Sequence, residues 1–425
     1  MGKYTHLDDP RVDAYIDERL KTIVNSFVQG APGIRSILLT GSYGRGEGSA
    51  IVTATGVTLL RDFDLVLLFH KRVPRKEVAS ISDRLERMFC PPRDASYHYM
   101  DDFSLDVKPS TLARANLLPD MGLYDMRFCP VLYGEDIRLL INCRLEDIPL
   151  RSGARGLISK GIAMAGSMHV DYLRSGVPSD LRANFLRETS RAYFVAAEAL
   201  TLLLGCYDHR AWRRLALLEE RRSQELAGLL KKVPDLLDKI ERAIRFKLDP
   251  AHNPINDDPI AYWFTTRDDL GEIWRFFFAK YLGTEAQDWD SFSQQLERSL
   301  GRQYYLPLIE TGLRTRRIPY NNSLLRILNY AWGLGYNGQY AWKQFRIQGR
   351  LVWPWSNGYY TPGVEVFVTV PLLLFGLNRD GSIISRYIDT VERKLQFAQV
   401  EQQQPHSWER ARSRLMWAVF SASFF

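Results

Sequence analysis

The stretch SILLTGSYGRGEG, residues 36–48, joins a short apolar run to a glycine-rich segment, and the stretch DFDLVLLF, residues 62–69, joins two carboxylates to a second apolar run. Apolar runs of this length that are bounded by turn residues are typical of buried strands. Gly41 and Ser42 follow the first run directly, where a glycine lets backbone amides approach a phosphate and a serine adds a hydroxyl donor. The first stretch therefore predicts a strand that ends in a phosphate-binding turn.

Two widespread phosphate-binding patterns are excluded for this turn. A P-loop requires Gly-Lys followed by Ser or Thr, and the glycine-rich segment contains no lysine. The dinucleotide pattern, Gly-x-Gly-x-x-Gly with an acidic residue further on, is missing as well. A glycine-rich segment after a strand is also common in ordinary turns, so neighbouring residues must decide between a turn and a binding site.

The second stretch places two carboxylates at the start of a predicted strand. Asp62 and Asp64 are two residues apart, and alternate residues of a strand project from the same face. Two carboxylates so placed can share hard cations such as Mg²⁺, which prefer oxygen ligands. The alternative interpretation is a polar strand start on a solvated loop.

A third carboxylate lies on a further predicted strand, FSLDVK, residues 103–108, in which apolar residues flank Asp106 on both sides. Pro109 is expected to end this strand, because proline cannot donate to a ladder. Asp102 would lie on the same nominal face, but we prefer Asp106 because of its apolar neighbours. An ordinary polar position on a half-exposed strand is the alternative for Asp106.

The order of these parts resembles the DNA polymerase β nucleotidyltransferase superfamily. Its signature is a hydrophobic residue, Gly-Ser, a spacer and two aspartates that alternate with hydrophobic residues, which stand here as residues 40–42 and 62–65. The resemblance covers residues 1–140, and Leu132-Tyr133-Gly134-Glu135-Asp136 resembles the segment that often closes the domain in small members. It implies an α+β fold, in which an amino-terminal α/β nucleotidyltransferase domain with a mixed sheet is followed by a largely helical region.

The resemblance also implies roles for the site residues. Asp62 and Asp64 would coordinate two Mg²⁺ ions, for which Mn²⁺ could substitute, and Asp106 would join them at the ion that activates an acceptor hydroxyl. Gly41 and Ser42 would contact the β- and γ-phosphates of the nucleotide.

Arg45 is a further candidate for a triphosphate contact, and a solvent-facing helix arginine is the alternative interpretation. The spacer between the Gly-Ser pair and the first aspartate, residues 43–61, is longer than in the family. Its segment 50–57 is expected to form a loop or a hairpin near the mouth of the site, where it could determine specificity.

The expected activity is Mg²⁺-dependent transfer of a nucleoside monophosphate from a triphosphate such as ATP to a hydroxyl acceptor, with release of pyrophosphate. A small molecule or a protein is favoured over RNA as the acceptor, because no stripe of basic residues is evident. One alternative is a cyclic-oligonucleotide synthase of bacterial defence. Another is a non-catalytic antitoxin or regulatory protein that retains the fold. The sequence identifies neither the acceptor, the base preference nor the oligomeric state.

The pattern along the chain predicts three consecutive regions. Residues 1–150 would form the nucleotidyltransferase domain and residues 151–320 a helical domain, in which apolar residues recur at helical spacing. Residues 321–425 would form a mostly helical region that is rich in aromatic residues.

The composition limits the class of protein and its expected partners and compartment. A chain of 425 residues with a net charge of +7 is globular and mildly basic, which favours an anionic partner such as a nucleotide. The longest apolar run, residues 364–377, contains Glu365 and Pro371 and is too short to span a bilayer, so no membrane partner is expected. Four cysteines without close spacing favour a reducing cytoplasm: Cys90, Cys129, Cys143 and Cys206.

Overall fold

The computed structural model describes residues 2–54, 56–60, 62–89, 105–111, 119–283, 285–303, 362–398 and 407–422, together with short pieces between 309 and 342. The chain divides into two compact units. Unit 1 comprises Met1–Gly153 and Ser179–Asp257, and unit 2 comprises Ala154–Pro178 and Asp258–Phe425. These boundaries differ from the three consecutive regions 1–150, 151–320 and 321–425, since the chain leaves unit 1 after Gly153 and returns to it at Ser179.

The principal elements follow one another along the chain as α1 Pro10–Gly30, β1 Ile34–Thr40, α2 Gly41–Gly44, β2 Ala50–Thr53, β3 Gly56–Leu59, β4 Phe63–Phe69, α3 Arg75–Phe89, β5 Leu105–Thr111, α4 Met121–Asp125, β6 Val131–Gly134, α5 Leu150–Ser167, α6 Tyr172–Ser175, α7 Ser179–Leu203, α8 Ala211–Glu220, α9 Ala227–Leu230, α10 Leu236–Leu248, α11 Pro259–Leu282, α12 Trp289–Gln303, α13 Pro362–Phe375, α14 Ser385–Lys394 and α15 Ser407–Ala422. The chain is thus mixed α/β near its amino end and mostly helical afterwards, as the sequence predicted for the fold class.

Helix α1 begins where its sequence requires. The Asp9 carboxylate caps it by accepting a hydrogen bond from the backbone N–H of Arg11 at 2.9 Å, and Pro10 occupies the first helical position. Its buried face repeats at helical spacing: Val12, Ile16, Leu20, Ile23 and Phe27.

The central sheet of unit 1 has the strand order β5-β4-β1-β6. Strand β1 pairs antiparallel with both β4 and β6, whereas β4 pairs parallel with β5. The sheet is therefore mixed.

Alternate residues of the two central strands enter different cores. Leu39 and Leu67 belong to the core that contains the buried faces of α1 and α3. Leu38 and Val66 belong to the opposite core, together with Tyr207, which follows α7. Because both faces are covered, β1 and β4 are apolar along most of their length.

The third strand differs from its prediction. Pro109 does not end β5, which continues to Thr111 with Pro109 in register with Leu67. The physical reason is the position of β5 at an edge of the described sheet. Every second N–H of an edge strand points away from its neighbour, so a proline there need not remove a ladder hydrogen bond. The residues 103–104 with which the strand was predicted to begin lie outside the described residues.

The spacer after the Gly-Ser pair forms a hairpin, one of the two conformations expected for it. Strands β2 and β3 pair antiparallel, with Ala50 opposite Leu59. The segment before the hairpin is fixed by two hydrogen bonds: the Tyr43 hydroxyl donates to the carbonyl of Ser49 at 2.9 Å, and the Gly48 N–H donates to the carbonyl of Tyr4 at 3.0 Å.

Unit 2 is built around α13, whose buried residues include Val366, Val370 and Leu374. Helices α12, α14 and α15 pack against it. The long apolar run of the sequence is therefore a core helix. Among the helices that the structure describes, none combines the length and the apolar character that crossing a membrane requires.

Candidate active site

Three strands bring the predicted site residues to one end of the sheet in unit 1. Thr40 at the end of β1 is in register with Asp64 on β4, and Asp64 is in register with Asp106 on β5. Neighbouring strands lie about 4.8 Å apart, and residues directly opposite each other project from the same face. Asp64 and Asp106 are therefore side by side. Asp62 is exposed and lies two residues before Asp64, immediately ahead of β4.

Gly41 lies against the Asp64 carboxylate. Its φ of +64° is in the left-handed region, and a Cβ added there would lie 1.8 Å from Asp64 Oδ2. The Thr40 hydroxyl donates to the backbone carbonyl of Asp64 at 3.2 Å. The glycine that follows β1 is therefore required by the position of the carboxylate on β4, which the sequence pattern did not reveal.

The Asp64 carboxyl is electrostatically strained. Burial raises its pKa to about 6, and the negative charges of Asp106 and Asp62 act in the same direction, while Lys108 and Arg45 oppose the rise. Burial combined with like charge makes the ionised form costly unless a cation is near. A strongly perturbed carboxyl beside two others is typical of a functional site.

Lys108 is a residue of this cluster that sequence reasoning missed. It lies two residues after Asp106 on β5, so both project from the same face, and its Nζ forms an ion pair with Asp106 Oδ2 at 3.0 Å. Although burial opposes the change, the hydrogen bond with Asp106 and the charges of Asp106 and Asp64 raise the pKa of Lys108. The alternation of Asp106 and Lys108 along the strand was the signal that could have revealed it.

The carboxylates fit a hard cation by their chemistry. Asp62, Asp64 and Asp106 offer oxygen ligands of the type that Mg²⁺ prefers. In the part of the chain that the structure describes, no three His, Cys, Asp or Glu side chains are grouped as ligands of a metal ion. Asp106 is instead engaged with Lys108. Metal binding therefore requires the Asp106 carboxylate to exchange this partner. The competing candidate, Asp102, lies outside the described residues.

Arg45 is neither solvent-facing nor available as a free cation. Its side chain is 13% exposed, and its guanidinium lies 3.4 Å from carboxylate oxygens of both Glu47 and Asp125. Burial lowers its pKa, but the charges of Asp125 and Glu47 outweigh burial and raise it. The structure thus assigns Arg45 to a buried ion cluster, whereas the sequence suggested a phosphate contact or an exposed helix position.

The ion cluster connects the glycine-rich turn to residues that follow α7 in unit 1. A Glu47 carboxylate oxygen accepts the backbone N–H of Ala211, the first residue of α8. The Tyr207 hydroxyl donates to Asp125 at 3.0 Å. Burial raises the pKa of Asp125 to about 6, although Arg45 and Arg214 oppose the rise. These partners are 82 to 164 residues apart in the chain, so no local pattern could indicate them.

Ser42 is largely buried, with 8% of the residue exposed. Its carbonyl accepts the N–H groups of Glu47 at 2.8 Å and of Arg45 at 3.2 Å, which closes the turn. The first N–H groups of a helical turn have no partner within that turn, so those of Gly41 and Ser42 are candidate donors to an anion.

No protein-family model matches this chain, and comparisons with curated proteins and with solved structures found no match. The comparisons therefore place the chain in no family.

Proposed function

We propose that this protein is a Mg²⁺-dependent nucleotidyltransferase that moves a nucleoside monophosphate from a nucleoside triphosphate to a hydroxyl acceptor and releases pyrophosphate. One observation carries the proposal: Asp64 and Asp106 lie in direct register on parallel strands, and Gly41 packs against the Asp64 carboxylate. A nucleotidyl transfer needs neighbouring carboxylates beside a turn whose backbone N–H groups can bind phosphate, and the pair Asp64 and Asp106 next to the Gly41 turn supports this assignment.

Each site residue has its own role in this proposal. Asp62, Asp64 and Asp106 would hold two Mg²⁺ ions, which neutralise the phosphates and lower the pKa of the acceptor hydroxyl when bound. The backbone N–H groups of Gly41 and Ser42 would bind the phosphate oxygens that leave as pyrophosphate. Asp106, on the edge strand β5, would accept the proton of the acceptor hydroxyl.

Arg45 has a supporting role in this proposal. Its charge lowers the pKa of Asp64, while its guanidinium is shared between Glu47 and Asp125. It would therefore fix the glycine-rich turn and favour the ionised form of Asp64, without contacting the triphosphate.

The test uses the four α-³²P-labelled nucleoside triphosphates with Mg²⁺ or Mn²⁺, in the presence and absence of cell extract. The wild-type protein should transfer label, and Asp64→Asn or Asp106→Asn should reduce the rate by at least about a hundredfold. Asp83→Asn, which changes an exposed carboxylate on α3, is the matched control and should keep the wild-type rate. Identical labelling by the wild type and Asp64→Asn would remove the catalytic proposal.

The distribution of label identifies the acceptor. Labelled protein or RNA in the presence of extract would assign a macromolecular acceptor, and a labelled small product that requires extract would assign a metabolite. A small, phosphatase-resistant product that forms without extract would show that a second nucleotide is the acceptor, as in a cyclic-oligonucleotide synthase. Absence of any transfer, together with unchanged folding, would favour a non-catalytic protein.

A further inference from the structure

We propose that Lys108 is a built-in counter-cation of the carboxylate cluster, which metal ions displace and which then binds the phosphates of the nucleotide. This inference rests on the proposed function and adds a residue to it. It predicts that metal and nucleotide bind cooperatively. A bound nucleotide keeps Lys108 away from the carboxylates that bind the metal, and a bound metal releases Lys108 to bind the phosphates.

Lys108 places its ammonium group beside the carboxylates. Parallel pairing aligns Asp64 with Asp106 and Val66 with Lys108, so Lys108 projects from the carboxylate face one step further along β5. Its Nζ lies 3.0 Å from Asp106 Oδ2. Asp106, Asp64 and Asp120 are the negative groups that act on it. In the metal-free protein, Lys108 therefore supplies positive charge to the cluster that a metal ion would otherwise neutralise.

A metal ion and Lys108 compete for the carboxylate of Asp106. A carboxylate oxygen that binds Mg²⁺ closely cannot keep a full ion pair with an ammonium group at the same position, because two cations at one oxygen repel each other. Loading the cluster with metal therefore requires Asp106 to release Lys108. The cost is small, since the Lys108 side chain is 65% exposed and the Asp106 side chain 46% exposed. Exposed ion pairs of this kind contribute little to stability and exchange their partners readily.

Once released, the ammonium group of Lys108 can bind a phosphate oxygen of the nucleotide. A triphosphate that shares metal ions with Asp64 and Asp106 must place oxygens within about 5 Å of those carboxylates, because each metal–oxygen bond is close to 2 Å. Lys108 has a flexible four-carbon stem and three donors. It can exchange the carboxylate for a phosphate oxygen with a small movement, so the charge that opposes metal binding in the free protein assists nucleotide binding in the complex.

The experiment measures Mn²⁺ affinity with and without a non-hydrolysable nucleotide for the full-length wild type, Lys108→Met and Lys108→Arg. Methionine keeps most of the stem and removes the charge, and arginine keeps the charge. Lys21→Met, which changes an exposed lysine on α1, controls for the loss of one positive charge. In the absence of nucleotide, Lys108→Met should bind Mn²⁺ about two- to fivefold more tightly than the wild type. Lys108→Arg and Lys21→Met should remain near the wild-type affinity.

The second readout is the coupling between the two ligands. Nucleotide should strengthen Mn²⁺ binding more in the wild type than in Lys108→Met. The ratio of the two increases should be about the factor by which Lys108→Met binds Mn²⁺ more tightly than the wild type without nucleotide. Lys108→Met should also bind the Mn²⁺–nucleotide complex less tightly. If Lys108→Met leaves metal affinity and coupling unchanged, the inference is wrong although the metal site stands. If the wild type binds no Mn²⁺ even with nucleotide, or if Asp64→Asn binds it equally well, the proposed function fails first.

Discussion

At the scale of single residues, Gly41 is constrained both by its left-handed backbone conformation and by the carboxylate of Asp64 beside it. Its positive φ disfavours any side chain, and its Cα lies against the carboxylate of Asp64. Gly41→Ala should lose about 1 to 2 kcal/mol from the backbone conformation alone. It should also displace Asp64, because the added Cβ would lie 1.8 Å from Oδ2. We expect Mn²⁺ affinity and nucleotidyl transfer to fall by at least about tenfold.

The matched control for this prediction is Gly33→Ala. Gly33 has a φ of +84°, and a Cβ added there meets nothing within 4 Å. Urea unfolding should show that both variants lose stability because of their left-handed backbone, with the larger loss in Gly41→Ala, and only Gly41→Ala should lose metal affinity. Equal metal affinities in the two variants would show that Gly41 does not position Asp64.

Asp64 should make the metal-free protein less stable as the pH rises. Its pKa is about 6 in the folded protein, against 3.8 for an aspartate in the unfolded chain. Between these values the unfolded chain releases the proton while the folded chain retains it, so stability is full below pH 3.8 and is lost as the pH rises through 6. Asp64→Asn cannot ionise. It should therefore raise the free energy of unfolding by about 1 to 3 kcal/mol near pH 7.5 in the presence of a chelator.

The pH series supplies the control for Asp64. Near pH 4 the wild type and Asp64→Asn should have nearly equal stabilities, because the native Asp64 is then protonated. Asp125, whose pKa is also about 6, should preserve part of the pH dependence in the variant. Asp136→Asn should not stabilise the protein at neutral pH, since the pKa of Asp136 is lowered to about 2 by its hydrogen bond with Arg138. A destabilised Asp64→Asn at pH 7.5 would contradict the assigned strain.

At the scale of elements, the sequence predicted those whose pattern is local. Helix α1 is specified by its cap, its proline and its apolar spacing, and β1 and β4 were predicted from their apolar runs. Strand β6 was missed, because four residues without an alternating pattern are specified mainly by their pairing with β1. The end of β5 was wrong because edge position, which decides whether a proline is tolerated, depends on the whole sheet.

The site, like the elements, could be predicted only where its pattern is local in the sequence. The order of Gly41, Asp64 and Asp106 along strands could be read, and the register places Asp64 beside Asp106. The partners of Arg45 could not be read, because Asp125 lies 80 residues away and Glu47 is oriented by a helix that begins at Ala211. A charged residue in a glycine-rich turn has the same sequence pattern whether it binds a ligand or a buried carboxylate.

Glu47 should be the residue through which the glycine-rich turn and α8 stabilise each other. Its side chain is 3% exposed, pairs with Arg45 and accepts the N–H of Ala211. Burial raises its pKa, but the charges of Lys247, Arg214 and Arg45 outweigh burial and lower it, so Glu47 is ionised at neutral pH. Glu47→Ala removes one of the buried carboxylates that compensate these cations and should reduce the free energy of unfolding by about 3 kcal/mol.

Two further variants test this link by urea unfolding. Glu47→Gln keeps an acceptor for the Ala211 N–H while losing the charge, so its stability should lie between those of the wild type and Glu47→Ala. Glu219→Ala removes a carboxylate of α8 whose side chain is 43% exposed, and its effect should stay below about 0.5 kcal/mol. A loss for Glu47→Ala no larger than that for Glu219→Ala would show that the turn does not depend on α8.

At the scale of the whole molecule, the path of the chain makes the amino-terminal sheet depend on residues beyond the first region. Leu38, Val66 and Leu68 share a core with Leu202 and Tyr207, which the chain adds only after passing through unit 2. Without them, one face of the sheet would lose part of its apolar cover, and the cluster around Arg45 would lose the groups that satisfy Glu47 and Asp125. A fragment that ended near residue 150 would therefore lack part of the core of unit 1.

Fragments of two lengths test this dependence. The fragment 1–257 contains all of unit 1 and should unfold cooperatively in urea and bind Mn²⁺ in a manner that Asp64→Asn abolishes. The fragment 1–153 should show no cooperative transition, because part of one sheet face loses its cover and two buried carboxylates lose the Tyr207 hydroxyl and the Ala211 N–H as donors. The fragment 1–257 also carries the segment Ala154–Pro178 of unit 2, so full-length protein serves as the reference for its affinity. Cooperative unfolding of 1–153 with undiminished Mn²⁺ affinity would show that the sheet and its carboxylates are specified by the first 153 residues alone.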